Sequence, residues 1–458
     1  MLTLPRELLD LVFQHVSRAD IKNLRLVSRS FRSSASRFLI TRVYLSSHAL
    51  DLEVFRHVTS HPLFRRTIRE IVWDDSTFNR QLMDWDVFCY QVMHWWRMSH
   101  EDAGQMYERW ISLARDHHEI RERRLDEKAL NEALPYLPFL EKTTLTHLPI
   151  KAKAFDSESP TMRYFKRLRM DRKEYDPPNP GVTWHTSGEY SPSELEDPFD
   201  LDYLDEGPTG QRWVQRTAGA ESAQSRMVEP TRRMFRGILI LIRALSRSPK
   251  KVKSFAIVPP DTSLDGESHG GISHLLFKKW SPDLDHMVNV VQHLTVLHLR
   301  LGSDDRDNTW ENMGAAGDHL RLILSKAVKL EDLELELESM PTVDLLDSGI
   351  IYPKLRKVRF AEGYIWPEKL FAFLRCQRDV LRVVVVERIF LYGMWRPVLE
   401  EMKSEAYVFD NCIVQEVSDG VARYTCDSQT AVADYLYRGG PYPLKVDYGL
   451  RRVSLGDS

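Results

Sequence analysis

An apolar phrase with the spacing L-x-x-L-x-L recurs in the second half of this 458-residue chain. The phrases start at Val252, Leu294, Leu330, Leu355 and Leu381. Each phrase alternates like a half-buried strand, and helical patterns such as residues 319–327 and 367–377 precede the phrases. Successive phrases begin 42, 36, 25 and 26 residues apart, so each strand–helix unit is too small to bury its apolar face alone. The spacing predicts units stacked into a curved solenoid, and an ordinary α/β domain with parallel strands is the alternative.

The middle of the chain differs in composition from these phrases. Residues 156–230 hold eight of the 23 prolines, and residues 189–206 carry eight acidic residues and no basic one. Such a segment cannot bury enough apolar surface to order itself. We therefore predict a flexible, proline-rich acidic insertion at 156–230. It separates a first repeat-like part, residues 47–155, from the main repeat-like domain, residues 231–458.

The N-terminal 46 residues show three short helical patterns. Pro5 suits the first turn of the first helix, Asp20 is the predicted N-cap of the second, and Ser28 begins the third. Of the 39 residues from Leu2 to Ile40, 18 are apolar, and a unit of about 40 residues rarely buries enough surface to fold alone. Part of its apolar surface must therefore face another body, either the rest of the chain or a partner.

Two phrases in this N-terminal segment resemble the F-box family. Residues 4–13 read LPRELLDLVF and residues 20–31 read DIKNLRLVSRSF, in the order and at the spacing of the two F-box phrases. The resemblance implies docking onto the Skp-family adaptor of SCF (cullin-RING) ubiquitin ligases. Nine residues match family positions used for adaptor docking or for the F-box core: Leu4, Pro5, Leu8, Leu9, Phe13, Ile21, Leu24, Val27 and Phe31. The sequence does not divide them between interface and core.

The resemblance also implies a fold class and a function. We expect an α+β multidomain chain, with a three-helix F-box at residues 1–46 followed by an irregular α/β leucine-rich-repeat-like solenoid. Its expected function is substrate recognition in an SCF ligase, with a protein substrate held by the repeats and cullin and RING subunits reached through the adaptor. The alternative is an F-box scaffold or regulatory protein that binds the adaptor only. In either case the chain is expected to be non-catalytic and to act by proximity.

Charged residues beside the repeat phrases are the candidate substrate contacts. They are Glu334, Glu336, Glu338, His298 and Arg300. An exposed acidic strip on these strands would suit a basic segment of a substrate. The alternative is an ordinary solvated strand face.

Composition argues against several other classes of function. The formal net charge of −3 predicts no global field for nucleic acid or an anionic membrane. The four cysteines form no CxxC pair, and His117-His118-Glu119 lacks the second histidine of an HExxH zinc motif. We therefore expect no metal, no cofactor and no membrane or nucleic-acid partner, and a location in the cytoplasm or nucleus.

Overall fold

The computed structural model describes most of the chain outside the middle segment. The described residues are 5–75, 77–78, 84–86, 88–89, 99–146, 182–183, 236–258, 272–273, 275–278, 280–302, 314–341, 350–405, 407, 409–426, 428 and 430–447. They form two compact units, the first running to Ser254 and the second mainly from Phe255 onward. The predicted insertion lies outside the described residues apart from Val182–Thr183. None of the described helices is long and apolar enough to cross a membrane.

The first unit begins with three short helices. They are α1 (Arg6–Gln14), α2 (Arg18–Val27) and α3 (Arg29–Ala35), followed by a 3-10 turn at Ser36–Phe38. The predicted three-helix arrangement is therefore present in the structure.

The starts of these helices differ in part from the sequence prediction. The Ser17 hydroxyl accepts a hydrogen bond from the Asp20 N–H at 3.2 Å and donates one to the Asp20 carboxylate at 2.7 Å. The N-cap of α2 is therefore Ser17, and the prediction of Asp20 was wrong by one helical turn. Ser28 caps α3 as predicted, because its hydroxyl accepts from the Phe31 N–H at 3.2 Å.

The remainder of the first unit is mixed α/β. Its elements are β1 (Arg42–Ser46), α4 (Ala49–Ser60), β2 (Glu70–Asp74), β3 (Thr77–Phe78), α5 (His100–Glu122), α6 (Leu125–Ala133), β4 (Lys142–Thr146), β5 (Val182–Thr183) and α7 (Arg236–Arg247), with 3-10 turns at Phe64–Arg66 and Leu134–Tyr136. Strands β1, β2 and β4 pair in parallel, in that order, and β3 pairs antiparallel with β5. Leu45, Trp73 and Leu145 occupy one register across the parallel strands and are all buried.

Two buried carboxylates hold the start of α7 in the first unit. The Asp126 carboxylate accepts hydrogen bonds from both terminal nitrogens of Arg236, each at 2.7 Å. The Asp75 carboxylate accepts from the Gly237 N–H at 2.8 Å and pairs with Arg121 at 3.1 Å. These partners are 46 to 162 residues apart in sequence, so the contacts tie distant segments together.

The second unit is also mixed α/β. Its elements are β6 (Ser254–Val258), β7 (Ile272–Ser273), α8 (Leu275–Lys278), α9 (Pro282–Val291), β8 (Val296–Gly302), α10 (Gly314–Ser325), β9 (Asp332–Pro341), β10 (Lys357–Ile365), α11 (Pro367–Cys376), β11 (Val383–Glu387), β12 (Phe390–Leu391), α12 (Trp395–Ser404), β13 (Asn411–Gln415), β14 (Val417–Asp419), β15 (Arg423–Cys426), α13 (Ala431–Arg438) and β16 (Leu444–Val446). Strands β8, β9, β10, β11 and β13 pair in parallel in chain order, and β14, β15 and β16 end the unit in antiparallel pairing.

The repeated phrases form the parallel strands of this second unit. In register, Val296, Asp332, Lys357, Val383 and Asn411 lie side by side, at offsets of 36, 25, 26 and 28 residues. The second and fourth residue of each strand are buried, because alternate residues of a strand point to one face. The strand prediction for the phrases is therefore confirmed.

A backbone kink recurs with the same period. Glu362, Arg388 and Glu416 have positive φ angles of 59°, 51° and 52°, which place them in the left-handed region. They are 26 and 28 residues apart, which equals the register offset of the strands they follow. A left-handed conformation in a non-glycine residue costs on the order of 1 kcal/mol or more, so its repetition marks equivalent positions in successive units.

Candidate functional site

The three N-terminal helices enclose a small apolar core. Leu9, Phe13, Ile21 and Ala35 are buried at its centre. The Phe13 ring meets the Phe31 ring edge-on, with centroids 5.8 Å apart. Leu24 and Phe31 are half-buried and pack against the same core. These side chains support the fold of the segment and expose little surface to a partner.

Other apolar side chains on the same helices point outward. On α1 they are Leu8, Leu11 and Val12, each about half exposed, and on α2 they are Leu26 and Val27, which are 78% and 68% exposed. Residues three and four apart lie on one side of a helix, so Leu8, Leu11 and Val12 share a face opposite the core residues of α1. Large apolar side chains that remain this exposed are typical of a surface that a partner covers.

The structure thus divides the predicted docking residues into two groups. Leu9, Phe13 and Ile21 are core residues, and Leu24 and Phe31 lie at the edge of the core. The exposed members of the predicted set are Pro5, Leu8 and Val27, and Leu4 lies outside the described residues.

Three exposed apolar residues were missing from the predicted docking set. They are Leu11, Val12 and Leu26. Helical spacing was the signal that could have found them, because they lie about 100° or more from the core stripe once Leu9 and Ile21 are assigned to it.

Pro5 lies just before α1 instead of within its first turn. Its backbone is extended, with φ of −53° and ψ of 146°, and its carbonyl accepts hydrogen bonds from the Leu8 and Leu9 N–H groups at 3.1 and 3.2 Å. Pro5 therefore caps the helix through its backbone, and its exposed ring lies beside the outward face of α1.

The predicted substrate residues lie on neighbouring strands of the second unit and pair with one another. Arg300 on β8 contacts Glu336 on β9 and Glu362 on β10, both at 2.8 Å. His298 lies 3.4 Å from Glu336 and 3.6 Å from Glu334. These five residues form an ionic network across the strand face opposite the buried leucines.

Burial in this network differs from the expected exposed acidic strip. Arg300 and Glu336 are only 2% and 5% exposed, whereas His298 and Glu334 are half-buried. The expectation that Arg300 and Glu336 are exposed was wrong, because cross-strand partners satisfy and cover both charges. Glu338 belongs to β9, but its side chain lies outside the described residues.

Basic residues of β10 extend the network. The Lys357 ammonium contacts Glu334 at 2.6 Å and Asp332 at 3.1 Å. Arg359 pairs with Glu336 and, at 2.9 Å, with Glu387. Opposite charges therefore alternate from strand to strand.

The network also sets the ionisation of its acids. Burial alone would raise the pKa of Glu336, but the hydrogen bond and charge of His298, together with Arg359 and Arg300, lower that pKa well below its ordinary value. Glu334 likewise has a lowered pKa, because Lys357, His298 and Arg359 outweigh its burial. Both acids are therefore ionised and matched by neighbouring cations at neutral pH.

The arrangement offers binding surfaces, and no catalytic constellation stands out in it. Within the described ranges, no group of three or more His, Cys, Asp or Glu side chains is placed to hold a metal ion. His117 is buried in α5, and its neighbour Arg121 pairs with Asp75.

Comparison with known proteins identifies one part of the chain. The family model of the F-box domain matches residues 1–42, which include the three helices and the core described above. No curated protein matches the chain.

Proposed function

We propose, because this chain is an F-box protein, that it serves as a substrate-recognition subunit of an SCF ubiquitin ligase. An F-box domain implies binding to a Skp-family adaptor, and receptors of this class reach the cullin and RING subunits through that adaptor. The chain itself would contribute proximity between substrate and ligase and would not carry out chemistry.

The observation that carries this proposal is the set of exposed apolar side chains on α1 and α2. Leu8, Leu11, Val12, Leu26 and Val27 are all exposed on a domain whose own core is already complete. Full burial of one such side chain contributes about 1.5–3 kcal/mol. An adaptor that covers several of them would therefore gain enough apolar contact for a stable complex.

For the second unit we propose a leucine-rich-repeat-like solenoid. Its support is the parallel pairing of β8, β9, β10, β11 and β13 in chain order and the kink that recurs at Glu362, Arg388 and Glu416. Stacked units of this kind contact mainly their neighbours and leave one long strand face for a partner. The domain boundaries predicted from the sequence, 1–46, 47–155, 156–230 and 231–458, stay part of this proposal.

Substrate binding is proposed for the strand face that carries the ionic network. The half-buried His298 and Glu334 support it better than Arg300 and Glu336, whose charges are already paired and covered. A substrate group would have to compete with Lys357 for Glu334. We therefore expect Arg300 and Glu336 to organise the face and the more exposed residues to contact a substrate.

Co-purification with a Skp-family adaptor tests the docking step. Leu8→Asp/Leu26→Asp places one charge on each outward helix face and leaves the core residues unchanged. A matched control is Val328→Asp/Val421→Asp in the second unit, since these residues are 48% and 79% exposed against 47% and 78% for Leu8 and Leu26. Substitution of Leu9 would not be informative, because Leu9 is buried and its loss would unfold the helices.

We expect the wild type and the control to bind and the Leu8→Asp/Leu26→Asp variant to bind at least about 100-fold more weakly. Loss of two central apolar contacts costs about 2 kcal/mol or more each, and each 1.4 kcal/mol is tenfold in affinity. Absence of binding by the wild type, or equal binding by all three proteins, would refute the proposal. Adding cullin and RING subunits then separates the two roles: capture of cullin indicates a ligase subunit, and adaptor binding without cullin indicates a scaffold.

A further inference from the structure

We propose that the corner where α2 meets α3 recognises an acidic partner surface, and that its positive charge steers association. In this corner, Leu26 and Val27 are bordered by Lys22, Arg29 and Arg32. The inference rests on the proposed function and adds the chemistry of the partner. The adaptor surface that receives Leu26 and Val27 carries carboxylates around an apolar groove.

The cations of the corner lie beside its apolar residues. Lys22 and Leu26 are four residues apart on α2, so they share one side of the helix. Arg29 is the first residue of α3, two positions after Val27, and Arg32 lies three residues further on the same side. Lys22, Arg29 and Arg32 are all exposed.

These charges lack partners within the described part of the chain. No carboxylate there lies within 4.0 Å of the charged nitrogens of Lys22, Arg29 or Arg32; Arg32 instead donates to the Arg25 carbonyl at 3.4 Å. The nearby Asp20 carboxylate is engaged by the Ser17 hydroxyl at 2.7 Å. The strand face of the second unit is the opposite case, because its cations are matched by acids from adjacent strands.

The sequence shows the same excess of positive charge. Residues 1–40 contain seven Lys and Arg against three Asp and Glu, although the whole chain has a formal net charge of −3. The positive charge is therefore concentrated beside the exposed apolar residues. An apolar surface with a cationic border fits a groove with an anionic border, because like charges at the contact would cost several kcal/mol.

Charges at the border of an interface act mainly on the rate of association. Their field extends about 8 Å at physiological salt, so they orient an approaching partner before apolar contact forms. Apolar residues at the centre act mainly on the rate of dissociation. The two kinds of residue in this corner should therefore separate in a kinetic experiment.

The experiment measures association and dissociation rates of the full chain and a purified Skp-family adaptor at 50 mM and 500 mM NaCl. The test variant is Lys22→Glu/Arg29→Glu. The control is Lys326→Glu/Lys329→Glu, which reverses two exposed lysines of the second unit and changes the net charge by the same amount. Thermal melting of each variant verifies that the helices remain folded.

We expect the test variant to associate about tenfold more slowly than the wild type at 50 mM NaCl, with little difference at 500 mM. Its dissociation rate should change less than threefold, and the control should associate like the wild type. Binding of wild type and test variant with equal, salt-independent association rates would overturn this inference while leaving adaptor docking intact. Equal slowing by the control would also overturn it, because net charge and not the corner would then be responsible. Failure of the wild type to bind would overturn the proposed function and this inference together.

Discussion

Loss of the Asp126 carboxylate should destabilise the first unit more than loss of any exposed acid. Asp126 is fully buried, and its two oxygens accept hydrogen bonds from Arg236 and from the Ser47 hydroxyl, all at 2.7 Å. Burial would raise the pKa of Asp126, but the hydrogen bonds and charge of Arg236 lower it, so the pair is ionised at neutral pH. The pair joins α6 to the first residue of α7.

The magnitude follows from what the substitution leaves behind. Asp126→Asn keeps the size of the side chain, but it leaves the Arg236 guanidinium, whose side chain is 14% exposed, without a counter-charge. Breaking one side of a buried ion pair costs about 3–5 kcal/mol. The matched surface pair is Glu119–Arg123, at 2.6 Å and more than half exposed on both sides, and its loss through Glu119→Gln should cost about 0.5 kcal/mol at most.

Hydrogen–deuterium exchange, read by mass spectrometry on peptides from α6 and β1, reports the first unit separately from the second. A loss of 3 kcal/mol corresponds to exchange about 100-fold faster through global opening of the unit. The double variant Asp126→Leu/Arg236→Met should recover much of the loss, because no buried charge remains unpaired. Exchange in Asp126→Asn no faster than in Glu119→Gln would refute the reasoning.

Two further predictions concern buried positions of the same unit. Gly237→Ala should lower the urea midpoint by the equivalent of about 1–3 kcal/mol, although alanine favours helices, because its Cβ would overlap the Asp75 carboxylate that caps α7; an unchanged or raised midpoint would contradict this contact. Burial lowers the pKa of His48 from 6.5 to about 4, so the unfolded state binds the proton first and stability should fall by up to about 3 kcal/mol as the pH drops from 6.5 to 4. His48→Gln should flatten this part of the stability–pH curve in urea titrations, and an unaltered slope would show that other groups cause it.

The local pattern of the sequence determined the elements that depend on burial along one segment. The repeated phrases became parallel strands at the predicted positions, because alternation of apolar residues reflects which face of a strand is buried. Ser28 was assigned correctly as a helix cap, since its partner is only three residues away. The F-box phrases identified the N-terminal domain for the same reason, because they lie within 30 consecutive residues.

Helix packing decided which apolar side chains of the F-box form its core. Leu8 and Leu9 are neighbours with the same chemistry, yet Leu9 is buried and Leu8 is about half exposed. The difference arises because Phe13 and Ile21 come from two helices that close over Leu9 and not over Leu8. A composition of 18 apolar residues in 39 announces surplus apolar surface but does not say where it lies.

Tertiary structure alone decided the pairing of charges. Arg300 and Glu336 looked like an exposed strip, but strand pairing brings residues 36 positions apart into contact and covers both. Asp126 and Arg236 are separated by 110 residues, and neither position carries a signal of the other. Periodicity and motifs report interactions within a segment, whereas the energy of a buried charge depends on which distant segment supplies its partner.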